Sequence, residues 1–225
     1  MRVQKTAQEH QRARVRILKL ARAQIRDCEV PIVTLVAGRR SPYLVLISCI
    51  LSLRTKDKTT VEACRRLFRK ARTPRAMLAF SPSALSRLIY PVGFYRTKAR
   101  AILVVSRRII AEFAGRVPDT QEELLRFKGV GRKTANLVLG LGFGIPALCV
   151  DTHVHRISNR LGWVRTRTPE ETEYALEKRI PRQWWIELNT ILVTFGQNVC
   201  LPVSPLCSRC AVRRYCARAG VAQWR

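Results

Sequence analysis

The sequence predicts an all-α fold, and three observations carry that prediction. Helix-forming residues dominate the chain, prolines at 74, 82, 91, 118, 146, 169 and 181 divide it into short segments, and no stretch alternates apolar and polar residues with period two. Residues 7–27 set strong helix formers around Val15, Ile17, Leu18 and Leu20, with a basic opposite face. Ser41-Pro42 opens an almost wholly apolar helix to Leu53, with Ser41 as N-cap and Pro42 at the first helical position. Further helices are expected over 57–70, 73–80, 82–89, 96–114, 119–127, 131–141, 152–161, 169–179 and 183–196. No period of 20–50 residues repeats, so a solenoid is not expected, and no long linker separates two domains.

Composition narrows the function. The chain of 225 residues carries 42 Lys+Arg against 15 Asp+Glu, a formal charge of +27, and 47% of its residues are hydrophobic, enough for a real core. Self-repulsion on that scale points to a polyanionic partner, with nucleic acid ahead of an anionic membrane surface or plain solubility. The charge is spread along the whole chain and forms no low-complexity tail. The start, Met1-Arg2-Val3-Gln4-Lys5, leads into polar and basic residues, unlike a secretory signal. The most apolar run, 43–53, is about half of the ~20 residues that span a bilayer. An intracellular protein with no membrane partner is expected, and in a reducing compartment its eight cysteines are unsuited to a disulfide framework.

Four of those cysteines, Cys200, Cys207, Cys210 and Cys216, form a C-x6-C-x2-C-x5-C cluster. Thiolates this close in sequence can surround one metal centre unaided. Tetrahedral zinc and a [4Fe–4S] cluster compete, and the uneven spacing suits the cubane better, because its four irons lie apart. Zinc ribbons usually pair two tight C-x2-C units, and only one is present here. Cys28, Cys49, Cys64 and Cys149 are scattered in apolar contexts and are expected in the core.

Two further segments carry candidate chemistry. Phe127-Lys128-Gly129-Val130-Gly131-Arg132-Lys133-Thr134 sits between two predicted helices. Its glycines permit a tight turn with positive φ, and the N–H groups of the next helix can receive a phosphate. The alternative is an ordinary helix–turn–helix corner. Lys133 falls in the first turn of that helix, where the dipole and the neighbouring Arg132 and Lys128 disfavour an added cation. A neutral amine there is a nucleophile; a phosphate-contacting lysine is the other reading, and both stand at this point. Asp151-Thr152-His153-Val154-His155 opens another helix, with Asp151 as N-cap, as a carboxylate at a reaction centre, or as both. His153 and His155 point apart on a helix, so packing or phosphate contact is expected rather than a metal pair.

Together these residues resemble the endonuclease III family of helix–hairpin–helix DNA glycosylases. LLRFKGVGRKTANLVLG followed by ALCVDTHVHRISNRLG resembles the family's hairpin, catalytic-lysine helix and catalytic-aspartate segment, and the cysteine spacing matches too. SPYLVLISCILSLRTKD and GFYRTKARAI extend the match to roughly 35–220.

The resemblance implies a two-lobed all-α fold with a DNA groove between the lobes. One lobe is a six-helix barrel over about 34–145, with the helix–hairpin–helix at about 119–141. The other, over 1–33 plus 146–225, holds a [4Fe–4S] cluster on the four cysteines. It implies a monomer in the cytoplasm or nucleoid, acting on double-stranded DNA that contains a damaged base or abasic site. The base is flipped into a pocket, Lys133 attacks C1′ to form a Schiff base, and β-elimination cuts 3′ to the site. Asp151 aids that chemistry, and Arg54, Thr55, Lys128, Gly129, Val130, Gly131, Arg132, Thr134 and His153 contact DNA.

Lys133 separates this chain from monofunctional relatives, which lack a lysine there, and Cys49 stands where adenine glycosylases carry a catalytic Glu. Three departures accompany the match. Arg54 replaces a Gln that fills the space of the flipped base, Lys128 replaces a common Pro, and the loop 201–206 has no Lys or Arg. Arg209, Arg213 and Arg214 are the candidates to replace that last contact.

Overall fold

A computed structural model describes residues 6–37 and 41–225. Among the described residues there is no β-strand, in keeping with the predicted all-α class. The chain divides into two compact units, Pro31–Ala147 and Met1–Val30 with Leu148–Arg225.

The first unit is built around α3 (Pro42–Ser52). Ser41 Oγ accepts from Leu44 N at 3.4 Å and Pro42 occupies the first turn, so the cap read from Ser41-Pro42 forms as expected. All nine residues from Tyr43 to Leu51 are buried, which accounts for a helix apolar on every face. Around it pack α2 (Ile32–Ala37), α4 (Asp57–Lys70), α7 (Tyr95–Phe113) and α9 (Arg132–Leu137). The short α5 (Pro74–Met77) and α6 (Pro82–Ile89) lie against α7 or α4, and α8 (Gln121–Leu125) against α9. Ser81 and Thr73 cap α6 and α5 through Ala84 N and Ala76 N, each with Pro in the first turn.

The expected helix 131–141 changes character. After Leu137 the chain widens into a π-helix, Val138–Phe143, that packs on α3. A Cβ on Gly142 would stand 2.8 Å from Pro42 Cα, so only glycine allows this approach. α2 was not expected, and 73–80 and 119–127 shrink to α5 and α8, with turns completing each segment.

The second unit centres on α12 (Trp185–Asn198), against which α1 (Ala7–Gln24) and α10 (Thr152–Arg160) pack; α11 (Pro169–Glu177) lies on α10. Thr6 and Glu9 close a capping box at the start of α1, with Glu9 Oε2 accepting from Thr6 N at 2.7 Å. Leu18, Val154, Leu188 and Phe195 are among its fully buried residues. A single turn of 3₁₀-helix, Arg182–Trp184, precedes α12 and replaces the start expected at 183. Two more such turns, Cys207–Arg209 and Arg213–Tyr215, shape the C-terminal segment.

Candidate functional site

In the first unit the Gly-rich corner joins α8 to α9. Thr120 Oγ1 accepts from Glu123 N at 3.4 Å to cap α8, and Gln121 Nε2 donates to Asn136 Oδ1 at 2.6 Å across the two helices. Phe127 is fully buried and stacks edge-on against Phe113 with centroids 5.8 Å apart. Val130 N donates to Phe127 O at 3.0 Å, closing the turn.

Gly129 adopts φ +88°, as a tight turn requires, whereas Gly131 has an extended φ of −100° and serves as the N-cap of α9. The corner thus needs positive φ at one glycine, because the second must lead straight into the helix. Lys128, Gly129, Gly131 and Lys133 are exposed and Arg132 is half-buried. Val130 and Thr134, two of the nine expected contacts to DNA, are buried.

Lys133 lies in the first turn of α9, as expected, and its charge acts on Cys49 of α3. Burial prevails at that thiol and pushes it up to about 12, so Cys49 is a neutral core group. Cys64, also buried, lies 3.6 Å from Ser48 Oγ. Both fit the core role expected of the scattered cysteines.

Arg54 follows α3 in a left-handed conformation, φ +51°, and Phe94 before α7 does the same at +57°. For residues with a Cβ each such turn costs on the order of 1–2 kcal/mol. Both side chains are exposed, and the Arg54 guanidinium lies over the Phe94 ring, 5.9 Å from its centroid. Thr55, beside Arg54, accepts from Gly93 N at 3.1 Å. Beneath them lies Lys98, a buried lysine that the sequence offers no reason to distinguish from the exposed basic residues of α7.

In the second unit Asp151 is the N-cap of α10, and its Oδ1 accepts from His153 N and Val154 N, both at 2.9 Å. This fixes one carboxylate oxygen at the helix mouth. Buried Asn189 donates to Cys149 O at 3.2 Å, tying the approach to Asp151 onto α12. His153 is half-buried with Nδ1 3.2 Å from Arg156 Nη2, and a Cβ on Gly196 would stand 2.5 Å from His153 Nδ1. His155 Nδ1 pairs with Thr172 Oγ1 at 2.7 Å, a packing role.

The four cysteines converge. Cys200, Cys207, Cys210 and Cys216 line one pocket, walled by Phe195, Val199 and Val212. Arg160 Nη1 donates to Cys200 Sγ at 3.5 Å, and Arg218 N donates to Cys216 Sγ at 3.3 Å. Arg160 also donates to Leu201 O at 2.6 Å and Pro202 O at 2.7 Å, and so supports the uncharged loop between the first two cysteines. Arg209, Arg213 and Arg214 are exposed beyond it. Among the described residues no three His, Cys, Asp or Glu side chains form a group that could hold a single metal ion. Among the described residues no helix is long and apolar enough to cross a membrane.

The profile of the HhH-GPD superfamily base excision DNA repair proteins matches residues 47–182. Endonuclease III of Thermotoga maritima is 53% identical over 175 residues, covering 78% of this chain and 82% of that protein. Endonuclease III-like protein 1 of Gallus gallus is 43% identical over 180 residues, 79% of this chain and 64% of the longer relative. Among solved structures, a non-covalent endonuclease III–DNA complex superposes with a TM-score of 0.81 at 35% identity, covering 96% of this chain and 97% of that one. The chain therefore belongs to the HhH-GPD superfamily of base excision DNA repair proteins and, within it, to the endonuclease III family.

Proposed function

We propose that this protein is a DNA glycosylase with abasic-site lyase activity, which removes damaged, chiefly oxidised, pyrimidines from duplex DNA. The observation that carries this reading is Lys133 itself, exposed in the first turn of α9 beside a glycine corner with free space for a phosphate backbone. In this reading the exposed Lys128 and the backbone of 129–131 grip phosphates without reading bases. Two of the matching solved structures are complexes of endonuclease III with DNA, which supports DNA as the partner.

The Lys133 amine attacks C1′ of the flipped nucleotide, and the C1′–N bond breaks with its electron pair leaving on the base. Nitrogen gives one proton to the departing base, the C1′–O4′ bond then breaks with O4′ taking the second proton, and a Schiff base is left at C1′. Removal of a C2′ proton then expels the 3′ phosphate by β-elimination. Asp151, its Oδ1 fixed by two backbone N–H groups, is read as the carboxylate that takes up a proton or stabilises positive charge on the sugar. A monomer acting on nucleoid DNA completes the reading.

The four cysteines would hold a [4Fe–4S] cluster, one thiolate on each iron. Their convergence on one pocket, together with the uneven C-x6-C-x2-C-x5-C spacing, supports a cluster rather than zinc. N–H donors from Arg160 and Arg218 toward two of the sulfurs suit thiolate ligands. Bound there, the cluster supplies a cross-link between segments rather than a reaction step.

Borohydride trapping on abasic-site DNA tests the nucleophile. Wild type forms a covalent adduct and Lys133→Gln does not; an adduct at wild-type yield in the variant would overturn the assignment. Base release with no strand cleavage would make the enzyme monofunctional. About four irons per chain are expected after anaerobic purification, and zinc in their place would refute the cluster.

A further inference from the structure

The buried amine of Lys98 has no part in the chemistry above, yet its three N–H bonds are fully used. Nζ donates to Leu51 O at 2.8 Å, to Leu53 O, and to Thr55 Oγ1 at 3.0 Å. The Thr55 hydroxyl is used as completely. It accepts from Lys98 and from Gly93 N, and it donates to Leu53 O at 3.2 Å. This network joins the end of α3 to the start of α7 directly beneath Arg54 and Phe94. The two backbones are pressed together there, since a Cβ on Gly93 would lie 2.6 Å from Arg54 O.

An ammonium is an expensive way to end a helix. Burial of a charge opposes folding, and helices commonly end on a glycine with no buried charge at all. Burial pushes Lys98 down to about 8. What the ammonium provides that glycine cannot is a three-pronged anchor reaching both carbonyls and the Thr55 side chain at once. It also places positive charge on the negative end of α3. The residue between those acceptors is Arg54, held in a conformation unfavourable for an arginine.

We propose that Lys98 is a positioning residue that holds Arg54 rigidly against Phe94, so that the pair meets the duplex preformed. The contact with DNA rests on the function proposed above; the rigid anchoring does not. Lys98 touches neither the base nor the sugar and acts through the loop 51–55.

Two measurements on Lys98→Met test the two halves. In hydrogen exchange of the free protein, the segments 51–56 and 92–96 exchange about tenfold faster than in wild type, with the rest of the first unit unchanged. No change, or an equal rise throughout the unit, overturns the anchoring. In single-turnover assays, base release from a duplex with an oxidised pyrimidine falls about tenfold with little change in KM. Cleavage of a single-stranded abasic oligonucleotide, which has no stack to open, stays within about twofold of wild type. Lys98→Arg restores most of the duplex rate. Equal losses on both substrates, or an undiminished duplex rate, overturn the positioning role. A wild-type enzyme that acts on neither substrate refutes the functional reading and leaves the exchange result to judge the anchor. Should Lys98→Met not fold, Lys98→Gln, which keeps two donors without the charge, takes its place.

Discussion

The corner that presents Lys133 and the segment that carries the four cysteines are both short and turn-rich, yet they are held by opposite means. At the corner two apolar side chains, Phe127 and Val130, are sunk into the first unit's core, and the exposed cations ride on them. From Cys200 to the end of the chain only Pro205 and Val212 are buried. That segment is fastened by polar bonds instead. Arg160 donates to Leu201 O and Pro202 O, and Gln24 donates to Arg209 O and accepts from Ala211 N. So little apolar burial cannot offset the chain entropy of ordering such a segment. A cross-link on its cysteines would make up the difference, whereas the corner that presents Lys133 has no need of one.

The contrast predicts unequal responses to perturbation. The largest is expected on loss of the cluster proposed above. Cys207→Ala, or iron chelation, should loosen 200–225 and lower the melting temperature by about 10 °C or more, because metal binding is folding free energy in such segments. Limited proteolysis should then cut between 201 and 225 while 31–147 persists as a resistant fragment. Unchanged melting with unchanged proteolysis would remove the cross-link from the account.

Next in size is the corner's own anchor. Phe127→Ala removes a fully buried ring and should cost about 3–5 kcal/mol in chemical denaturation, with the iron content intact. A cost below about 1 kcal/mol would mean that the corner is held by its backbone alone.

Asp151 separates stability from activity. Asp151→Ala should cost about 1 kcal/mol through the lost cap, and Asp151→Asn almost nothing, since Asn caps as well. Both should slow base release on the order of 100-fold if the carboxylate serves the chemistry. Full activity in Asp151→Asn would leave the residue as a cap only.

The smallest effect concerns Lys98. Its folded value of about 8 lies below the ordinary 10.5, so between these pH values the unfolded chain binds more protons and unfolding becomes less favourable as pH rises. The stability of wild type relative to Lys98→Met should therefore grow from pH 8 to pH 10.5, followed by urea titration at each pH. A difference that shrinks over that window would contradict the burial of the amine.

Local signals were legible in the chain where local bonds satisfy them. Ser41-Pro42, Ser81-Pro82 and Thr168-Pro169 each announce a helix because the hydroxyl caps an N–H three residues on and proline presets the first turn. Asp151 as a cap and Lys133 in a first turn follow from the same short-range rules. α2 and the π-helix were not legible. The latter depends on Gly142 meeting Pro42, a hundred residues away in sequence, and no periodicity records such a meeting.

The sequence by itself determined the helical class, the corner that presents Lys133 and the cysteine spacing, because each rests on bonds spanning a few residues. Only the tertiary structure decided which cations serve as anchors. Lys98 and Arg160 read as two more charges in a strongly basic chain. Their partners lie 43–47 and 40–42 residues away, and only packing reveals that those charges are buried and hydrogen-bonded.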